Sequence, residues 1–302
     1  MQTIIFNVND KLDIKDNLSI CLGYFDGLHL GHKKLIEVSK NTPYKSALLT
    51  FIFDSDVNLK NNKYLTSLQD KQNILSSMGV DYLFVLRFDN EVKNLLPSQF
   101  IDQILMMLNP KVLVVGEDYR FGKMAKGDIN YLKSYSNQYE VKVVEEEKID
   151  NKKIGTSLII EFLKEGNLKM VNELLGYYYK ITGVVETGYK LGNKYDFPTA
   201  NVKLKQYVMP KKGVYASIIT IDDKKYYGMT NIGNHPTVNE LDEALLEVNI
   251  FDFNQDIYQK VISVELVNYI REERNFSSIK ELYNQLKIDK KKCIELFENK
   301  KD

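Results

Sequence analysis

The chain has 302 residues, 44% hydrophobic and 27% charged, the range of an ordinary globular protein and outside that of disordered or fibrous chains. This length exceeds what one compact core usually supports, so two domains are expected. Lysine plus arginine and aspartate plus glutamate both total 41, which leaves no global field to recruit nucleic acid or an anionic membrane.

Only Arg87, Arg120, Arg271 and Arg274 among the basic residues are arginines, so guanidinium forks for phosphate are scarce. Backbone amides, histidines or a metal would have to do most of any phosphate binding. Cys21 and Cys293 lie at opposite ends of the chain and form neither a disulfide framework nor a zinc pattern, which points to a reducing compartment. The N-terminal residues lack a secretory pattern, and no apolar run approaches the roughly 18 residues of a membrane helix. A soluble, cytoplasmic protein is expected, of undetermined oligomeric state.

In chain order, continuous apolar runs at Leu18–Tyr24, Ser46–Phe53, Tyr82–Phe88, Val112–Val115 and Val141–Val144 read as strands buried on both faces. Between them, amphipathic stretches at Lys33–Lys40, Leu68–Met78, Ser98–Leu108 and Asp128–Ser136 read as helices. Strand and helix in alternation imply a parallel sheet with helices on both faces. Helices at Thr156–Glu165 and Leu168–Leu175 close this half.

From about Ile181 the texture changes to short runs joined by turns: Ile181–Glu186, Val214–Ile221, Tyr226–Asn231, Leu245–Phe251 and Val261–Ile270. Asp222–Asp223 reads as a hairpin connection, and the series as an antiparallel barrel. Ser277 or Ser278 caps a final helix, Ile279–Asn299. The boundary near Tyr177–Lys180 gives domains of 1–178 and 179–302.

Gly23-Tyr-Phe-Asp-Gly-Leu-His-Leu-Gly-His32 follows the first core strand and opens a helix. Gly23 and Gly27 let the backbone turn sharply, and the helix start offers unpaired amides to phosphate. His29 and His32, three apart, face the same way on the first turn and can donate to a triphosphate. Two ordinary surface histidines, or a zinc pair lacking a third ligand, are the competing readings. Two of the chain's three histidines share this segment, which favours phosphate chemistry.

This signature, with Phe25, Asp26 and Gly31 inside it, resembles that of cytidylyltransferase-type nucleotidyltransferases. The variant looks like the bacterial bifunctional riboflavin kinase/FMN adenylyltransferase (FAD synthetase) family. The resemblance implies a Rossmann-like N-terminal nucleotidyltransferase domain whose paired histidines steer ATP phosphates while FMN phosphate attacks. It continues at Val114–Gly122, where Asp118, Arg120, Phe121 and Gly122 would line the flavin or nucleotide pocket; from the residue alone, Asp118 caps a turn.

Two departures from the family pattern stand out. Thr50–Asp56 lacks the family's histidine-containing segment. In Ile154-Gly-Thr-Ser-Leu-Ile-Ile160, Thr156 and Ser157 keep phosphate-binding hydroxyls, but Ile160 replaces a cation, for which Lys152 or Lys153 is the substitute at hand.

The second half resembles a riboflavin kinase. Gly183, Gly188 and Gly192 suggest a loop whose amides wrap phosphate, though from the glycines alone a plain turn is the better explanation. Pro198-Thr199-Ala-Asn201 in extended chain sets a hydroxyl and an amide oxygen on one face, suited to the Mg2+ that accompanies ATP. A kinase acting on a primary alcohol needs a carboxylate base. Spacing offers Glu247 or Asp252, and the family's Leu-Glu-x-x-Ile-Phe-Asp-Phe segment selects Glu247.

Arg271 is expected to contact ATP phosphate, flank the flavin or pair with Glu272 or Glu273. Asp196 stands where the family has glycine, and Asn249 where it commonly has histidine. The resemblance implies riboflavin, FMN and ATP as small-molecule partners, with FMN and FAD as products. The alternative is a riboflavin kinase with a degenerate N-terminal domain.

Overall fold

The computed structural model describes residues 1–53, 63–135, 137–186, 198–203, 206–234 and 244–299. The chain divides into two compact units, residues 1–62 with 66–156, and residues 63–65 with 157–302.

The first unit is built on a six-stranded sheet, β1 (Gln2–Phe6), β2 (Leu18–Leu22), β3 (Lys45–Phe53), β4 (Tyr82–Phe88), β5 (Pro110–Gly116) and β6 (Glu140–Val144), in the spatial order β1-β4-β3-β2-β5-β6 and parallel at every pairing. Successive side chains point to opposite faces, so each apolar strand feeds two cores. Ile20, Leu22, Leu49, Phe84 and Leu113 join Phe100, Ile104 and Leu108 on one face. Cys21, Leu48, Leu83, Val85 and Val114 join Phe25, Ile36 and Leu75 on the other.

The helices of this second layer are α1 (Leu30–Lys40) and α2 (Leu68–Ser77). α3 (Asn90–Asn94), α4 (Pro97–Phe100) and α5 (Ile129–Tyr135) complete the first unit, with a two-stranded ribbon of β7 (Lys148–Ile149) and β8 (Lys152–Lys153). The single helix expected over Ser98–Leu108 is instead α4, one π-type turn over Ile101–Leu105 and a 3-10 turn over Met106–Leu108. The expected helix Lys33–Lys40 starts three residues earlier, because His29 caps it.

In the second unit, β9 (Tyr179–Glu186), β10 (Ala200–Lys203), β11 (Gly213–Ile221), β12 (Lys224–Asn234), β13 (Ala244–Ile250) and β14 (Val261–Arg271) close into an antiparallel barrel, β10-β13-β12-β11-β14-β9. Asp222 and Asp223 both take positive φ, 47° and 63°, the two-residue geometry that matches strand twist in a tight hairpin. Register fixes the interior. Val202 faces Leu246, Leu246 faces Ile232, Val248 faces Thr230, and Ser217 bonds Thr230 across the inside at 2.6 Å.

Gly183 lies within β9, where a Cβ would come 2.3 Å from the Lys203 carbonyl. Close approach of β9 and β10 therefore accounts for this glycine, and a phosphate loop is not needed to explain it. α6 (Thr156–Glu165) and α7 (Leu168–Leu175) precede the barrel; α7 packs on it, its Asn172 donating to Leu266 O at 3.1 Å and accepting from Tyr179 N at 2.8 Å. Contact thus groups most of this helix pair with the barrel, one helical pair earlier than the expected 178/179 boundary.

α8 (Ile279–Glu298) covers the outer wall, where Cys293 and Phe297 meet Val214, Ala216, Met229 and Val267. Arg271 bonds Asp289 of α8 twice, through Nε and Nη2, both at 2.9 Å, and Asp289 is fully buried. Gln285 donates to the other Asp289 oxygen at 2.7 Å and accepts from Arg274. Asp289→Ala would strand Arg271 and Gln285 without their acceptor. Breaking a buried pair on one side costs about 3–5 kcal/mol, so urea titration should show a loss of that size, with Arg271→Met/Asp289→Leu recovering much of it.

Candidate active sites

In the first unit, β3 lies on one side of β2 and β5 on the other. The chain leaves β2 for β3 and returns later to β5, so the loops after β2 and β5 open at a topological switch point, where parallel sheets bind ligands. The β2 loop is Gly23–His29. Phe25, buried, takes φ 54°, Gly27 takes φ 78° and Leu28 takes φ 40°, so the chain turns through three positive-φ residues before α1. His29 is the N-cap, its Nδ1 accepting the His32 amide at 3.4 Å. That acceptance leaves the ring proton on Nε2, the nitrogen free to face a ligand.

The two imidazoles stack with centroids 3.6 Å apart and planes 22° apart, and Phe25 meets His32 edge-on at 5.0 Å. Gly31 lies close beneath them, and a Cβ there would come 3.3 Å from the His29 ring, so a side chain would press on it. Burial and the nearby Lys153 ammonium push His29 down to about 4. Burial first, then His29, Lys71 and Lys153, hold His32 well below the ordinary imidazole range. Both rings are therefore neutral at pH 7.

α2 grips this loop. The Asp26 carboxylate accepts the Thr66 amide at 3.0 Å, just ahead of the α2 cap Ser67. From the next turn, Lys71 donates to the Tyr24 carbonyl at 2.8 Å. Lys71 is the residue that sequence reasoning missed; its signal, a lysine three residues after a capped helix start, is indistinguishable from a solvated charge. Thr156 donates to the Asp26 carbonyl at 3.3 Å, while Ser157 is exposed on the first turn of α6 in the second unit.

The segment after β5 divides its predicted roles. Asp118 is exposed and paired with Lys153, which also bonds Glu146 at 2.5 Å. Arg120 pairs with Asp128 at 3.1 Å on the surface. Phe121 is buried in the core between Phe100, Tyr119 and Tyr131, so it packs the sheet. Gly122 takes φ 70° with Pro97 N 2.9 Å from where its Cβ would be, a place only glycine fills without strain.

In the barrel, Glu247 of β13 stands directly opposite Asn201 of β10 on one side and Asn231 of β12 on the other. Paired residues share a face, here the outer one, since Leu246 and Val248 point inward and are fully buried. Asn231 donates to Glu247 Oε2 at 3.3 Å. Thr199 is exposed just ahead of β10, two residues from Asn201.

Asn249, also on the outer face, donates to the Pro198 carbonyl at 2.8 Å and so fixes the Pro198–Thr199 segment, a role the sequence left unassigned. Asp252, the rival by spacing, occupies a left-handed turn past β13 with its side chain 95% exposed. Arg271 pairs with Asp289 and with the Glu272 carbonyl at 2.8 Å, and with neither expected carboxylate. Gly188, Gly192, Asp196 and Asp54–Asp56 lie outside the described residues.

Residues 11–158 match the FAD synthetase family and residues 175–297 the riboflavin kinase family. A bifunctional riboflavin kinase/FMN adenylyltransferase of Bacillus subtilis is 37% identical over 93% of this chain and 92% of its own length. The chain belongs to this bifunctional family. Proteins of the same name from Listeria monocytogenes and Escherichia coli K12 are 35% and 33% identical, over 95% and 92% of this chain and 94% and 92% of theirs. A solved structure described as a macrolide-efflux protein from Streptococcus pneumoniae superposes with a TM-score of 0.87 at 31% identity, covering 96% of this chain and 97% of that one. Among the described residues of this chain, no helix is long and apolar enough to cross a membrane.

The neutral histidines make the first unit acid-sensitive. Above pH 6.5 neither folded nor unfolded chain protonates His29. As pH falls from 6.5 towards 4 the unfolded chain takes up a proton that the folded one refuses, so stability is lost through that window. His29→Asn keeps a capping acceptor but removes one titrating ring, and urea midpoints measured from pH 7 to pH 4 should fall less steeply than in the wild type.

Proposed function

We propose that the chain runs its two reactions at the two constellations just described, one in each unit. It phosphorylates riboflavin to FMN at the barrel and adenylylates FMN to FAD, releasing pyrophosphate, at the histidine loop. The observation that carries the reading is the Asn201–Glu247–Asn231 register, which sets a carboxylate beside hard oxygen ligands on the outer barrel face.

At the barrel, Glu247 accepts the proton of the riboflavin 5′-hydroxyl as that oxygen attacks the γ-phosphorus of ATP, and ADP departs. Asn231, bonded to Glu247, orients the base. Thr199 and Asn201 fit a Mg2+ ion: two hard oxygen donors, with phosphate and water left to complete the octahedron. Bound there, the ion would neutralise phosphate charge and orient the γ-phosphoryl group. Asn249, through Pro198, keeps Thr199 in place.

At the histidine loop no protein nucleophile is required. FMN phosphate attacks the α-phosphorus, and positioning with charge stabilisation supplies the catalysis. His29 and His32 donate to the phosphates, the start of α1 adds backbone amides, and Thr156 adds a hydroxyl. Lys153, close enough to depress both imidazoles, serves as the cation where Ile160 offers none. Gly23, Phe25, Asp26 and Gly31 shape the loop, and Asp118, Arg120 and Gly122 border the flavin or nucleotide pocket. The kinase-only alternative rested on Ile160 and the absent histidine; likeness to bifunctional proteins across both units favours two activities. Two free, buried cysteines fit a cytoplasmic site of action.

Separate variants should separate the reactions. Glu247→Gln is expected to lower FMN formation from riboflavin and ATP by about 10²–10⁴-fold, the usual worth of a general base, with FAD formation from supplied FMN retained. His32→Asn should do the reverse, lowering FAD formation by about 10²-fold or more, as loss of a preorganised donor does. Chromatography of FMN and FAD reads both, and parallel loss in either variant would contradict the assignment.

A further inference from the structure

Lys71 is only 4% exposed. Its Nζ donates to the Tyr24 carbonyl at 2.8 Å and to Thr50 Oγ1 at 3.1 Å, and the Thr50 hydroxyl donates to the same carbonyl at 2.7 Å. The ammonium also lies 4.9 Å from the Tyr24 ring centroid. This closed triangle ties the loop after β2 to the C-terminal half of β3 and to α2. Burying an ammonium costs several kcal/mol even after relaxation, and packing alone would be served as well by an apolar side chain like its neighbour Leu75. A buried lysine beside a site, with its charge only partly offset, calls for a functional reason.

The reason lies in the stacked rings. Two imidazolium ions cannot share a 3.6 Å stack without strong like-charge repulsion, so the stack requires that at least one ring stay neutral. We propose that Lys71 is a positioning residue for adenylyl transfer: it clamps the Tyr24 carbonyl against β3 and so holds the loop that presents the stacked His29 and His32 rings. The charged and titratable groups facing these residues are Asp26 of the loop, His29 at the start of α1, Lys153 of β8, and Asp70, which is held by Ser67 at 2.6 Å. Burial lowers Lys71 to about 8 and Asp26 opposes that shift, so Lys71 is largely charged at pH 7. The inference rests on reading His29 and His32 as the phosphate-binding pair.

The test uses the full chain with FMN and Mg-ATP. Lys71→Met is expected to lower kcat for FAD formation by about 10- to 100-fold, the scale of a misplaced catalytic group, with KM for ATP changed by less than about threefold, and FMN formation by the same protein unchanged. NMR titration of the three histidine rings should show the His32 midpoint raised in Lys71→Met and restored in Lys71→Arg. A kcat within twofold of wild type, or a lost kcat with an unmoved His32 midpoint, overturns the proposal. Should Lys71→Met fail to fold, the wild type is compared with Lys71→Arg from pH 7 to pH 9. The wild type should lose FAD formation as its ammonium deprotonates near pH 8, whereas the guanidinium, which does not titrate there, should hold the rate; identical profiles overturn the proposal. His32→Asn is the separate control: FAD formation that survives it refutes the phosphate-site reading, independently of Lys71.

Discussion

Phosphate must be handled in this protein with almost no free guanidinium. Arg120 is paired with Asp128, Arg271 with Asp289, and Arg274 with Gln285, so those three forks serve surface and core. The charge that a triphosphate brings has to be met by helix amides, neutral imidazoles, lysines and a metal. Each of these is weaker or less directional than an arginine fork, and each depends more on being held in place. The Gly23–His29 loop is accordingly fastened from several directions: Thr66 on Asp26, Lys71 on Tyr24, Thr156 on the Asp26 carbonyl, and the His29 cap on His32.

The barrel meets the same demand through register. A closed antiparallel wall fixes which residues stand opposite one another, and a slip of one position on β13 would turn Glu247 into the packed interior and bring Leu246 or Val248 outward. The interior residues that oppose such a slip, Val202, Ile232 and Thr230, are the direct partners of Leu246 and Val248. Core packing and catalytic geometry are thus one constraint. Asn249 extends it by two residues, holding Pro198 so that Thr199 leads into β10.

The sheet strands were legible because burial on both faces demands unbroken apolar runs, and the His29–His32 spacing was legible because a helix start fixes side-chain direction. β1 escaped notice because it is an edge strand whose apolar run, Ile4–Phe6, is short and whose only buried residue is Phe6. β10 is four residues long with only Val202 buried. Gly183 suggests a phosphate loop and also answers to the approach of two backbones, and Phe121 suggests a ligand pocket and also packs in the core; composition cannot separate those uses. Lys71 and Asp289 are the instructive misses. Charged residues are read as solvent-facing because burial is costly, so the few buried for a purpose look the same in sequence as those that face water.

Lys71 and Lys153 illustrate how position divides one residue type into two tools. Lys71 is enclosed, and burial lowers its affinity for a proton. Lys153 sits at the rim between Asp118 and Glu146, whose hydrogen bonds and charges outweigh its partial desolvation and raise it. Burial is the main cause that holds both imidazoles down; Lys153 adds to it at both rings and Lys71 at His32 alone. The outer lysine keeps that effect to high pH, because its own proton is held by two carboxylates. The inner one gives it up near pH 8. Neutrality of the rings is therefore secured redundantly, whereas the clamp on Tyr24 rests on the buried lysine and the Thr50 hydroxyl alone.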